Sequence, residues 1–227
     1  MAIMTLIMGE SGTGKTTSLR NLPPEETFII SVTGKHFPVR GFKQKFANVE
    51  DDRENGRYYG SNKWNKIVKA INSISANRPE IKYLVLDDFQ YIMADEFFER
   101  SAEAGFNKYN EIGAHAWEVI NAMQNARTDL FCIMTAHTEL TQANATKIKT
   151  IGKLFDEKGT PEGRFSYILH SLMLDGNYKF LTRHDGTHNA KTDLGLFDEK
   201  YIDNDIYEVI KKIKEFWGDE IITDTNL

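Results

Sequence analysis

The chain has 227 residues, 41% of them hydrophobic and 27% charged, with a net charge of −5 and a single cysteine, Cys132. This composition suits one α/β domain whose core needs no disulfide, and the acidic balance excludes a protein that binds nucleic acid through overall positive charge. No apolar run approaches the roughly 18 residues of a membrane span, and Met1–Met8 has no basic flank of a targeting peptide, so the expectation is a cytoplasmic protein that does not enter a membrane.

In chain order, Ile3–Met8 is a short apolar run that predicts a buried parallel strand, and Lys15 to Asn21 predicts a helix stopped by Pro23-Pro24. Thr27–Val32 is a second strand. Thr33–Asn62 is polar and aperiodic, a long connection of the kind that carries function. Trp64, Ile67, Val68, Ile71 and Ile74 have helical spacing, and Tyr83–Leu86 is a third strand ending on Asp87-Asp88. Helical segments follow over Phe89–Arg100 and Glu111–Ala126. Leu130–Ala136 is a fourth strand, and Cys132 within it reads as a small buried hydrophobe. Thr138–Arg164 is polar, lysine-rich and predicted to be a loop region. Ser166–Leu174 and Tyr178–Thr182 flank Asp175-Gly176-Asn177 as a hairpin. A last helix over 203–217 takes Asp203 or Asn204 as its cap and buries Ile206, Val209, Ile210, Ile213, Phe216 and Trp217. Alternating strands and helices followed by a hairpin predict a mostly parallel sheet flanked by helices with an antiparallel C-terminal edge, all within residues 1–227 as one domain.

Gly9-Glu10-Ser11-Gly12-Thr13-Gly14-Lys15-Thr16 matches G-x-x-x-x-G-K-[ST] in full. The glycines let backbone N–H groups close around a phosphate, and the next helix would aim its positive end at it. Lys15 supplies charge to the β- and γ-phosphates, the Thr16 hydroxyl is a magnesium ligand, and Thr17 completes the binding run. ATP and Mg²⁺ are the ligands this loop predicts.

A carboxylate after the apolar run Tyr83–Leu86 predicts Asp87 as the residue that holds a water ligand of the magnesium. Asp88 stands where a carboxylate can polarise the attacking water. Its alternative role is to start the following helix as a cap. His137 closes the strand expected between the phosphate-loop and Asp87 strands, where a polar residue can touch the γ-phosphate. A satisfied structural histidine is the alternative.

These segments resemble the small phage-encoded RecA-like ATPases of single-strand annealing and homologous recombination, sometimes called Sak-type core ATPases. The resemblance covers nearly the whole chain and lies in Gly9–Thr17, GKHFPVRG (34–41), LVLDDFQYIMA (84–94), KTIGKLFDE (149–157) and AKTDLGLF (190–197). It implies a RecA-like P-loop NTPase core without the extra N-terminal domain of full recombinases, acting in the host cytoplasm. It also implies a homo-oligomer that handles single-stranded DNA with ATP, beside other recombination or replication proteins. One departure stands out: Thr33-Gly34-Lys35 follows the second strand where full recombinases carry a catalytic glutamate, which strengthens the case for Asp88 as the base.

The resemblance places a DNA-binding loop after the sensor strand, at Thr138–Arg164, with Lys147, Lys149, Lys153, Lys158 and Arg164 as phosphate contacts and Phe155 as the aromatic available for stacking. Lys191 and Arg183 are candidates for a cation that completes a neighbouring subunit's γ-phosphate site. Two other readings use the same loop. One is a small-molecule kinase, disfavoured by few arginines. The other is a nucleotide-gated loader that presents Glu96, Glu99 and Glu103 to a protein partner.

Overall fold

The computed structural model describes residues 1–35 and 37–218, and of residues 156 and 157 the backbone alone. Strand β1 (Ile3–Gly9) sends Met4, Leu6 and Met8 into one apolar cluster and Ile7 into the opposite one, as alternation at period two demands. Next come β2 (Thr27–Ser31), the short helix α1 (Phe42–Lys45), β3 (Tyr58–Gly60), α2 (Trp64–Asn77) and β4 (Tyr83–Asp87). Helices α3 (Gln90–Glu99) and α4 (Asn107–Gln124) lead to β5 (Phe131–Leu140), β6 (Thr146–Ile148) and α5 (Leu154–Lys158). Strands β7 (Tyr167–Leu174), β8 (Asn177–Leu181) and β9 (Tyr201–Asp203) precede the last helix, α6 (Ile206–Trp217).

The strands form one sheet in the order β3-β2-β4-β5-β1-β7-β8-β9, with β6 attached to β5. From β3 to β7 every neighbour is parallel, whereas β8 and β9 are antiparallel additions. Helices α2, α3 and α4 cover one face, filled by Ile67, Ile71, Ile112, Val119 and Ile120. Helix α6 covers the other with Ile206, Val209, Ile210 and Ile213, each worth roughly 2 kcal/mol relative to exposure. Strands buried on both faces explain the unbroken apolar runs of β1, β4 and β5. Cys132 lies in that interior, where burial pushes its thiol up to about 12.

Several expectations need correction. No regular α-helix follows the phosphate loop, where the predicted Lys15–Asn21 helix is a single 3-10 turn over Thr17–Leu19. Thr16, Thr17 and Ser18 are poor helix formers, the Ser18 hydroxyl donates back to Lys15 O at 2.6 Å, and Pro23 blocks any extension. Asp205, rather than Asp203 or Asn204, caps α6, accepting from Tyr207 N–H. Phe216 and Trp217 are exposed, since they lie past the last turn that faces the sheet, although the Trp217 indole donates to Asp193 at 2.9 Å. The β7–β8 turn uses Asp175 and Gly176, both at positive φ, so Asn177 already belongs to β8.

Thr138–Arg164 is more structured than a loop. Strand β5 runs on to Leu140 and pairs with β6 in the register Glu139↔Lys147. Among the described residues, no helix is long and apolar enough to cross a membrane.

Candidate nucleotide site

β1 delivers Gly9 to the centre of the sheet, and Glu10–Thr16 curl over its carboxyl end. Gly14 has φ +94°, and a Cβ there would stand 2.8 Å from the Tyr178 ring; at Gly9 it would stand 2.5 Å from Ser171 O. Neither position admits another side chain. Lys15 is buried, and its Nζ donates to Gly9 O at 2.9 Å and Glu10 O at 2.7 Å. Burial pulls its pKa down to about 8, against the opposing charge of Asp88. Thr13 Oγ1 donates to Glu10 O at 2.9 Å, which closes the loop on itself.

Asp87 ends β4 on the floor of this loop, with 0% exposure. Its Oδ1 accepts from Thr135 Oγ1 at 2.7 Å and from Thr16 Oγ1 at 3.1 Å. Burial raises its pKa to about 6, with the Asp88 charge acting in the same direction. A hydroxyl and a carboxylate in contact are hard oxygen donors that fit magnesium, which takes few protein ligands and draws the rest from phosphate and water. A bound magnesium would keep Asp87 ionised.

Asp88 adopts φ +67°, a strained conformation for a residue with a side chain, and its N–H donates to Thr135 Oγ1 at 2.9 Å. The carboxylate does not cap α3, whose start has no side-chain cap bond, so the helix-cap alternative fails. Instead Oδ2 pairs with Lys35 and accepts from Thr33 Oγ1 at 3.3 Å. Oδ1 lies 3.7 Å from His137 Nε2 and is buried with no hydrogen-bond partner among the described residues.

His137 extends β5 beside β1, and its N–H donates to Gln90 Oε1 at 3.1 Å. Burial and then the Lys15 charge hold its pKa below the ordinary value. The strand order β4-β5-β1 therefore sets His137 between Asp87 and the phosphate loop.

Ser11, Gly12, Gly14, Lys15, Thr16, Lys35, Asp88 and His137 line one cavity of about 260 Å³. Thr17 and Tyr178 line it too, and both also line an adjoining cavity of about 430 Å³. Two of the lining residues, Lys35 and Tyr178, and Thr135 beneath Asp87 and Asp88 were given no role in the sequence reading. Lys35 gave no signal beyond a departure from the recombinase pattern. Thr135 had one, as a lone hydroxyl in an apolar run. Tyr178 becomes a wall of the site only through the β7–β8 hairpin.

The C-terminal part of the fold buttresses the loop. Ser171 Oγ donates to Thr13 O at 2.6 Å, and Asn204 Nδ2 donates to Ser171 Oγ at 3.1 Å. Asn21 Nδ2 donates to Asp205 Oδ2 at 2.5 Å.

The remaining sequence-predicted residues lie elsewhere. Lys191 and Arg183 are exposed and outside the cavity; Arg183 donates to Asp198 O, and Lys191 exchanges backbone bonds with Ile168. Lys149, Lys153 and Lys158 are exposed, Lys147 pairs with Glu139 at 3.2 Å, and Arg164 stacks over the Trp117 ring. Phe155 is 4% exposed and faces the core, so the expected stacking aromatic is not available. Glu96 and Glu103 bind Arg100, and Glu99 pairs with Lys63, so the expected acidic face is largely neutralised.

A glycine loop after a central parallel strand, with a buried carboxylate two strands away, defines a P-loop nucleoside triphosphatase. The sheet order agrees. More particularly, the family model described as an AAA domain matches residues 1–168, and the chain belongs to that family of P-loop ATPases. No curated protein matches the chain.

Proposed function

We propose that this chain is a magnesium-dependent, RecA-like ATPase that acts on single-stranded DNA in phage recombination or annealing, as a homo-oligomer. One observation carries the DNA part of that reading. Strand β5 presents His137 to the phosphate cavity and runs on into the β5–β6 hairpin, while Lys149 N–H donates to His137 O at 2.8 Å. The proposed γ-phosphate sensor on β5 is thus hydrogen-bonded to the neighbouring β6 segment that carries Lys147 and Lys149, so a shift at His137 would be passed to them.

At the nucleotide, the backbone of Gly9–Gly14 and the Lys15 ammonium hold the phosphates. Thr16 and Asp87 would hold magnesium, whose charge would offset that of the β- and γ-phosphates. Asp88 accepts a proton from the attacking water as the new oxygen–phosphorus bond forms and the bond from the bridging oxygen to the γ-phosphorus breaks. ADP leaves with the electron pair of that bond, and the second product is inorganic phosphate. The adjoining cavity beside Thr17 accommodates the nucleoside, with Tyr178 as an aromatic face for the base.

The test is the ATP hydrolysis rate with and without single-stranded DNA, together with DNA binding across a salt series. Stimulation by DNA and salt-sensitive binding are expected. A rate indifferent to DNA, with no salt-dependent binding, would falsify the DNA part and leave the ATPase part standing.

A further inference from the structure

The connection after β2 places a second lysine in the phosphate cavity. Val32 N–H donates to Asp87 O at 3.1 Å, which pins the chain to the end of β4 as it leaves the sheet. Gly34 then adopts φ +63°, with its N–H donating to Ser31 Oγ at 3.2 Å. This turn returns Lys35 over the cavity, where its ammonium pairs with Asp88 Oδ2. The two partners are held very differently. The Asp88 side chain is 1% exposed on a backbone tied to Thr135, whereas the Lys35 side chain is 48% exposed. An ammonium on a flexible stem keeps its strength in many directions, so Lys35 is the partner that can move.

Lys15 is placed differently: its ammonium is buried, donates to Gly9 O and Glu10 O and forms no ion pair with Asp88, so it holds the phosphates without exchanging partners. A terminal phosphate entering the same cavity carries more negative charge than one carboxylate and offers three strong acceptor oxygens. It therefore competes with Asp88 for the Lys35 ammonium. We infer that Lys35 is a catalytic residue acting in cis, which passes from Asp88 to the γ-phosphate of ATP. There it stabilises the charge that develops during transfer and leaves Asp88 free to accept the water proton. A cation supplied by the same chain can fill the place that other P-loop enzymes give to a residue from a partner. ADP has no γ-phosphate and leaves Lys35 on Asp88, so this residue also separates ATP from ADP. The inference rests on the ATPase reading above.

The experiment uses the full chain with Lys35→Ala, Lys35→Arg and Lys15→Ala, measuring kcat, KM and calorimetric affinities for ADP and a non-hydrolysable ATP analogue. Lys35→Ala should lower kcat about 10²-fold and weaken the analogue about tenfold, with ADP affinity changed less than about twofold. Lys35→Arg should restore part of both losses. Because Lys35→Ala leaves a buried carboxylate unpaired, Lys35→Ala/Asp88→Asn is included for stability and binding: it should regain the wild-type melting temperature and still bind the analogue more weakly than Asp88→Asn does, with ADP unchanged. Equal weakening of ADP and the analogue, or an unchanged or raised kcat in Lys35→Ala, overturns the inference. If wild type binds neither nucleotide, the nucleotide reading itself fails, whereas loss of both ligands in Lys15→Ala alone upholds it and isolates the Lys35 result.

Discussion

The phosphate cavity and the Thr138–Arg164 segment are joined by β5 but built on opposite terms. In the cavity, Lys15 is fixed by two carbonyls, Asp87 by two hydroxyls, and Asp88 by a strained backbone held at Thr135. In the basic segment, Lys149, Lys153 and Lys158 extend into solvent, while Phe155 and Phe165 are turned into the core. A preorganised cavity gains its strength from groups that need not reorganise when charge develops. Solvated lysines give up geometry and gain affinity through released counterions, which suits a repeating phosphate backbone and tolerates any sequence. On the proposed reading, the difference separates a site that performs chemistry from a surface that would hold a polymer.

If that division holds, Asp88→Asn should lower kcat by about 10²- to 10⁴-fold, the range for loss of a general base. ATP affinity should stay close to wild type. Single-turnover hydrolysis and calorimetry check this, and a matching loss of ATP affinity would make Asp88 a structural support of the cavity.

The converse variant replaces Lys147, Lys149, Lys153 and Lys158 with alanine. It should flatten the slope of log K against log salt for single-stranded DNA by roughly 3 and leave DNA-free ATP turnover intact. A fall in basal turnover would show that the two regions cannot be separated.

A pH experiment asks whether the hairpin side of the sheet and the phosphate loop unfold together. His170 lies in β7, one residue from the Ser171 that supports the loop, with Thr146 of β6 at 3.5 Å from its ring and His188 and Asp185 facing it. Burial, and then the nearby His188, lower its pKa from 6.5 to about 4. Between those values the unfolded chain binds a proton that the folded chain refuses, so stability falls as pH drops through this window. His170→Gln should remove a loss on the order of 2–3 kcal/mol between pH 7 and pH 4. Urea melts at both pH values, followed by far-UV signal and by nucleotide-site fluorescence, give the slope and show whether one transition serves both regions.

The smallest effect concerns the base. Tyr178→Ala should weaken ATP about tenfold through lost stacking and leave inorganic tripolyphosphate binding unchanged. An equal loss for both ligands would assign Tyr178 to support of Gly14 instead.

The chemically constrained parts of the site were legible in the sequence. Gly9–Thr16 could be read because a backbone cradle needs glycine and a fixed Lys-Thr pair. Asp87 could be read because a carboxylate after four apolar residues ends a buried strand. His137 followed once β5 was set between β4 and β1. Lys35 could not be placed, since its position depends on the Gly34 turn and on the long-range pairing of β2 with β4. The helix after the loop was overread because a repeated motif outweighed the poor propensity of Thr16-Thr17-Ser18. Strand β6 was missed because Thr146-Lys147-Ile148 is too short to show a period. The fate of Phe155 was hidden for a related reason: a local stretch that reads as polar loop does not reveal which residue turns inward against α4.

The central place of β1 bears on how the protein is made. Its hydrogen-bonding neighbours begin at Phe131 and Tyr167, so one edge of this apolar strand waits unpaired until synthesis has passed Phe131 and the other until it has passed Tyr167. Pairings this far apart in sequence carry a large loop-closure cost and form late. Until they form, Ile3–Met8 is a sticky segment of the kind that chaperones bind. The nucleotide loop, attached to the first strand of the chain, is therefore among the last parts to become competent, and ATP can report completion of the fold.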